Sequence, residues 1–210
     1  MNKRWILLVA ACAVLAMPPL YAADMMPPDV LAKSVADEVL KAVRTDKDLA
    51  NGNSQKVLQL VETKVLPHFD FEHMARLAMG RNWRQATPAQ RKAITDEFRT
   101  MLVRTYAAAF TGYHHQTVQF RHLDLKPTDD DVVVKSTIMK PGAQPISVDY
   151  RMEKMPDGWK VYDVMIEGIS LIENYRNTFA SEIQRSGVDG LIKVLAEKNR
   201  SMMQAKAGGK

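Results

Sequence analysis

His68, Asp70, Glu72 and His73 fall within six residues, and imidazoles and carboxylates are the groups that bind zinc or move protons. Their spacing argues against both uses. His68 precedes a helix-capping aspartate, His73 lies inside the short helix beyond it, and no H-E-x-x-H or comparable ligand pair occurs. Asp70 reads as the cap, with Glu72 favourably placed near the positive helix end. Neither a metal nor a catalytic residue is expected. Asp149 and Asp163 sit on strands, where a carboxylate usually pairs with a neighbouring Lys or Arg; Asp163, between Tyr162 and Val164, stands out. The chain has no nucleophile elbow, phosphate loop or triad spacing. Arg76, Arg81 and Arg176 are candidates to hold a phosphate group, because a guanidinium matches phosphate oxygens. His114-His115 reads as an exposed loop without a chemical role.

The elements that would position such groups begin after an export signal. Lys3 and Arg4 give a positive start, Trp5 to Ala16 an apolar run, and Tyr21-Ala22-Ala23 a small-residue exit, so cleavage is expected after Ala23. About twelve apolar residues fall short of the roughly twenty that span a hydrocarbon core. Val9-Ala10-Ala11-Cys12 looks like a lipoprotein box, but cleavage there would leave Ala13 to Leu20 as an apolar mature terminus. Cys12 is the single cysteine, so the mature chain has no disulfide, thiolate or cysteine ligand. Residues 24–204 form one domain, with 205–210 a disordered polar tail. Formal charge falls from +5 to +3 without Lys3 and Arg4, and scattered basic residues exclude a nucleic-acid stripe.

Hydrophobic periodicity gives the layer order. Val30, Leu31, Val35, Val39 and Val43 recur at helical spacing to about Arg44. Ser54 can cap a second helix carrying Val57, Leu58, Val61 and Val65, ended by Pro67; Asp70 can cap a third, closed by Gly80. Thr87-Pro88-Ala89-Gln90 is a capping box with proline at the first helical position. It opens a long helix with Ile94, Phe98, Met101, Leu102, Thr105 and Ala109 on one face and Val103, Tyr106 and Phe110 beside them. Its second half must be buried. The period then becomes two, giving strands Thr117 to Leu125, Val132 to Met139, Ile146 to Met152 and Trp159 to Ile166 in an antiparallel meander. The last strand is apolar on both faces, so both sides of the sheet there must be covered. A helix from about Ser170 to Ser186, capped by Gly187, and a final helix from Val188 to about Met203 complete an α+β order.

Several motifs occur in one order: Phe69-Asp70-Phe71 with Met74, Ala75 and Arg76; Gly80 and Trp83; Ala86-Thr87-Pro88-Ala89-Gln90-Arg91 and Phe98; Thr105-Tyr106; and the run from Asp157 to Phe179. Together they resemble the MlaC family of periplasmic phospholipid-binding proteins of lipid-asymmetry and toluene-tolerance transport systems, over about 170 residues. A branch associated with hopanoid metabolism shares much of the pattern. The resemblance implies a curved antiparallel sheet of four to five strands wrapped by about six helices, a cone like the nuclear-transport-factor fold with an internal apolar cavity. It also implies a carrier that shuttles phospholipid between an outer-membrane complex and an inner-membrane ABC transporter, with no cofactor beyond its cargo and no catalytic residue. The carrier is expected to be a monomer, since a shuttle must detach from both partners.

Such a cavity should be dry and adaptable. Methionine suits that role, and Met74, Met79, Met101, Met139, Met152 and Met165 fall inside apolar patterns. The layout turns Leu77, Phe98, Met101, Leu102, Tyr106, Val134, Ile138, Val148, Tyr150, Val164, Ile166 and Ile169 toward the space between sheet and long helix. Two other classes compete: an enzyme with Asp149 or Asp163 buried at the open end of a cone, and an adaptor whose interior is solid.

Overall fold

The computed structural model describes residues 25–107 and 116–208. The signal segment, the cleavage site at Ala23, Cys12, Ala109, Phe110 and His114-His115 lie outside them.

The first helix, α1 (Pro28–Thr45), has proline in its first turn, where a missing N–H costs nothing. A short helix absent from the sequence reading comes next, α2 (Lys47–Ala50), capped by Asp46, whose carboxylate accepts the N–H groups of Asp48 and Leu49. The third, α3 (Ser54–Leu60), is capped by Asn53 and not by Ser54: the Asn53 side chain accepts from Gln55 and Lys56, which makes Ser54 the first helical residue. A π-helical turn, Val61–Val65, and a 3-10 turn, Leu66–His68, then carry the chain to Phe69. The helix α4 (Phe71–Met79) starts at Asp70, whose carboxylate accepts the His73 N–H, and closes at Gly80. The long helix α5 (Pro88–Tyr106) has the full Thr87–Gln90 capping box. Its Ile94, Phe98, Met101 and Leu102 are buried, as its apolar half requires, but Thr105 faces outward.

Five antiparallel strands pair in sequence order: β1 (Thr117–Phe120), β2 (Asp131–Met139), β3 (Ile146–Met155), β4 (Gly158–Ile166) and β5 (Ile169–Ser170). The sequence reading runs β1 on to Leu125. It ends earlier because the Leu123 N–H turns from the ladder to the carboxylate of Asp29, 3.1 Å away on α1. The strand β5 arises from a tight turn in which Glu167 and Gly168 both have positive φ (51° and 78°), returning Ile169 opposite Ile166. Trp159, Val161, Tyr162, Asp163 and Val164 of β4 are all buried, as a strand covered on both faces demands.

The final helix, α6 (Leu171–Gly208), breaks at Gly187 (φ 73°, ψ −177°), the residue read as a left-handed cap. Its helical run reaches Gly208, into the segment expected to be disordered from 205. Thus six α-helices among the described residues and an open sheet make an α+β fold. Three apolar clusters hold it. One joins α4, α5 and α6 around Phe98, Phe179 and Leu191. Another joins α1, α2, α3 and the π turn around Val43 and Val57. The last joins the sheet to the start of α1.

Candidate ligand-binding cavity

Between the second and third clusters the packing does not close. A cavity of about 400 Å³ runs between one face of the sheet, the helix α1, the π turn and the C-terminal half of α5. Helix α1 contributes Leu31, Val35 and Val39 at helical spacing, with Ala32 and Ala36 beside them. Small side chains at that position leave space that leucines would fill. From the sheet come Val118, Ile138, Ile146, Val148, Tyr150, Met152, Val161, Val164 and Ile166; from α5 come Leu102, Val103 and Tyr106. Phe69, Phe71 and Met74 supply aromatic and thioether surface from the start of α4. Phe69 is held by a bridge to Val161, beside the Asp70 N–H to Val161 carbonyl bond of 2.9 Å.

A β-bulge determines which β4 side chains reach the cavity. Arg151 pairs with Asp163 and Met152 with Val161, so Tyr162 is an extra residue in the ladder. In regular alternation Val161 and Val164 would point to opposite faces. The extra residue puts both on the cavity wall.

Among the described lining residues only His68, Tyr106 and Tyr150 carry polar side chains. Burial and the nearby Lys160 ammonium hold the His68 imidazole below its ordinary pKa, partly opposed by Glu38, so it is neutral at neutral pH. Tyr106 hydrogen-bonds the Tyr175 hydroxyl, which burial and that neighbour push up to about 12. The described wall therefore carries no net charge at neutral pH.

Of the side chains that the sequence turns inward, Leu102, Tyr106, Ile138, Val148, Tyr150, Val164 and Ile166 line the cavity. Five do not. Phe98 and Met101 point to the other side of α5, into the core with α4 and α6, and Leu77 packs there too. Val134 is sealed within the sheet cluster, and Ile169, 67% exposed, caps the β4–β5 turn. The sequence reading misplaces the opposing wall: it is chiefly α1 and the π turn, not α5 alone. Met74 and Met152 line the space, whereas Met79 and Met101 are ordinary core and Met139 is 36% exposed.

None of the three arginine candidates reaches the wall. The Arg176 Nε donates to the Leu77 carbonyl at 3.1 Å, satisfying the end of α4, and Arg76 and Arg81 are exposed elsewhere. Asp163 is fully buried but committed: Ser170 Oγ donates to it at 2.6 Å and the Ile172 N–H at 3.2 Å. Asp149 is half-buried beside Ser147. Neither acid lines the cavity. The early cluster separates as well: His68 lines the cavity, Asp70 caps α4, Glu72 is exposed, and the His73 Nδ1 lies 2.6 Å from Glu153 on β3.

The fold and this hollow define an α+β ligand-binding protein whose site is an apolar cavity. The MlaC protein family matches residues 33–197, and the chain belongs to that family. It is 22% identical over 168 residues to the intermembrane phospholipid transport system binding protein MlaC of Haemophilus influenzae, covering 79% of this chain and 78% of that one. It is 27% identical over 179 residues to the toluene tolerance protein Ttg2D of Pseudomonas putida, covering 83% and 80%. A solved phospholipid-binding protein from Ralstonia solanacearum, in complex with a phospholipid, superposes with a TM-score of 0.77 at 45% identity, covering 83% of this chain and 98% of that chain.

Proposed function

We propose that this protein is a periplasmic phospholipid carrier. It holds acyl chains in the cavity between α1 and the sheet and leaves the headgroup in water. The observation that carries the reading is the cavity itself, apolar in all but three of its described lining side chains. An apolar wall around about 400 Å³ left against water forgoes the stabilisation that burying those side chains would give. A wall kept open in this way suits an apolar occupant. The relatives' names, intermembrane phospholipid transport and toluene tolerance, and the phospholipid in the Ralstonia protein agree with this.

The carrier performs no catalytic step. The buried Asp163 caps a helix and Asp29 holds the Leu123 N–H, and among the described lining residues the polar side chains are one imidazole and two phenols. Export by the cleaved signal delivers it to the periplasm as a monomer. There it exchanges lipid between an outer-membrane complex and an inner-membrane ABC transporter.

Native mass spectrometry of protein purified without detergent tests the reading. The expected spectrum shows the mature chain plus one phospholipid mass, and Val148→Glu and Ile166→Glu reduce that species at least tenfold while the protein stays folded. A mass matching the bare chain throughout, or full lipid retention in both variants, would overturn it.

A further inference from the structure

Asp70 and His73 lie at the start of α4 and Glu153 lies on β3, and one donor atom from each falls within 4.8 Å of the others. All three are half-buried. Their orientation is set by the fold. The Asp70 Oδ1 accepts the His73 N–H at 2.8 Å, which fixes the carboxylate and leaves Oδ2 without a hydrogen bond among the described residues. The His73 ring stacks on Tyr162 with centroids 4.6 Å apart and planes 17° apart. This aims Nδ1 at the Glu153 Oε1, 2.6 Å away. Tyr162 is held in turn by its hydroxyl, which donates to Asp131. Among the described residues neither Asp70 nor Glu153 forms a salt bridge with a lysine or arginine; Glu153 pairs with the His73 ring, and the Asp70 carboxylate lies within 4.8 Å of both.

We propose that Asp70, His73 and Glu153 form a binding site for one divalent transition cation, with zinc the best match. Imidazole and carboxylate oxygens are zinc's ligands, each at about 2.0–2.2 Å, and a water would complete a tetrahedron. Zinc would replace the hydrogen bond between His73 and Glu153: Nδ1 and Oε1, 2.6 Å apart, would part to ligate it, and the imidazole would keep its N–H on Nε2. The cation would clasp the first turn of α4 to β3. Phe71 and Met74 on that helix line the cavity floor, which the clasp would stiffen. Glu153 lies 80 positions from His73, beyond any local ligand motif.

The site is independent of the carrier reading and is tested without lipid. Chelator-treated protein is titrated with zinc chloride by calorimetry, and its melting is followed with and without the metal. One zinc per chain is expected, with melting raised by roughly 5–10 °C at hundredfold excess over the dissociation constant. His73→Gln and Glu153→Gln should each lose that rise, whereas His114→Ala/His115→Ala, which removes the adjacent histidine pair, should keep it. Cobalt(II) supplies a readout on the unaltered chain, a visible absorption band of a tetrahedral centre that zinc displaces. The proposal fails if the native chain takes up no stoichiometric zinc, if Glu153→Gln binds zinc as tightly as the native chain, or if the histidine-pair variant abolishes binding.

Discussion

His68 is the described lining residue whose charge changes near neutral pH, since the other polar groups on the wall are tyrosines. Its imidazole is held below its ordinary pKa by burial and by Lys160, whose Nζ donates to the neighbouring Pro67 carbonyl at 2.9 Å. The native state therefore binds fewer protons here than the unfolded chain between the two values. Stability from this residue is complete above the unfolded pKa of about 6.5 and is lost as pH falls through the lower folded value. The carboxylates held below their ordinary range, Glu38 by Lys64, Asp46 by Lys56, Asp157 by Lys160 and Glu182 by Ser186 and Arg185, contribute fully above their unfolded values of 4.5 for Glu and 3.8 for Asp and lose stability only in more acid solution. The windows are thus separate. Urea midpoints should decline between pH 7 and pH 5, and His68→Gln should flatten that decline. A His68→Gln midpoint falling as steeply as the native one would show that the imidazole is not the titrating group. The sequence displays the histidine but cannot place it: its position on the wall comes from the 3-10 turn of Leu66–His68, which sits against the sheet.

Helices α4 and α5 begin where local chemistry says they should, since a capping carboxylate or hydroxyl satisfies backbone N–H groups within three residues and can be read from the chain. The start of α6 is different. Its anchor is Asp163 on β4, which accepts from the Ser170 hydroxyl and the Ile172 N–H, while Ser170 Oγ itself accepts the Glu173 N–H at 3.0 Å. A carboxylate inside an apolar strand resembles a catalytic acid in sequence, and only the register shows that it is a remote helix cap. Asp163→Ala would remove two hydrogen bonds and leave the buried Ser170 hydroxyl without its acceptor. Loss of a charged acceptor costs about 1.5–3 kcal/mol per bond with an unsatisfied partner remaining, so a total of about 3–6 kcal/mol is expected. In a chain of this size that lowers the melting temperature by at least roughly 6 °C. Asp163→Asn, which keeps an acceptor, should recover much of it. Calorimetry on the three proteins checks this, and an unchanged alanine variant would mean that α6 is anchored by its apolar contacts alone. The bulge at Tyr162 was equally illegible, because one unpaired residue in β4 reverses which side chains face inward without altering the hydrophobic pattern.

At the scale of the molecule, the order of helices, meander and helices was legible because periods of 3.6 and 2 leave different marks. The cavity was only half legible, because a residue facing a hollow and one facing a packed core obey the same pattern. Phe98 and Val148 read alike, yet one packs against Phe179, 5.0 Å between ring centroids, and the other faces open space. A hollow of this kind sets up an exchange equilibrium. Two acyl chains of about thirty methylenes together gain more than 20 kcal/mol on leaving water, at about 0.8 kcal/mol each. The same gain is available in a bilayer, so transfer between membrane and cavity is close to neutral. Because only the folded chain can hold the tails, bound lipid should stabilise the protein by mass action in membrane-free buffer. Lipid-loaded protein should melt at least about 5 °C above delipidated protein. The difference should largely vanish when phospholipid vesicles are present, since unfolding then releases the tails into another apolar phase. Scanning calorimetry of both forms, with and without vesicles, makes the comparison. A lipid-dependent rise that persists unchanged with vesicles would mean that headgroup contacts, not sheltered tails, hold the cargo.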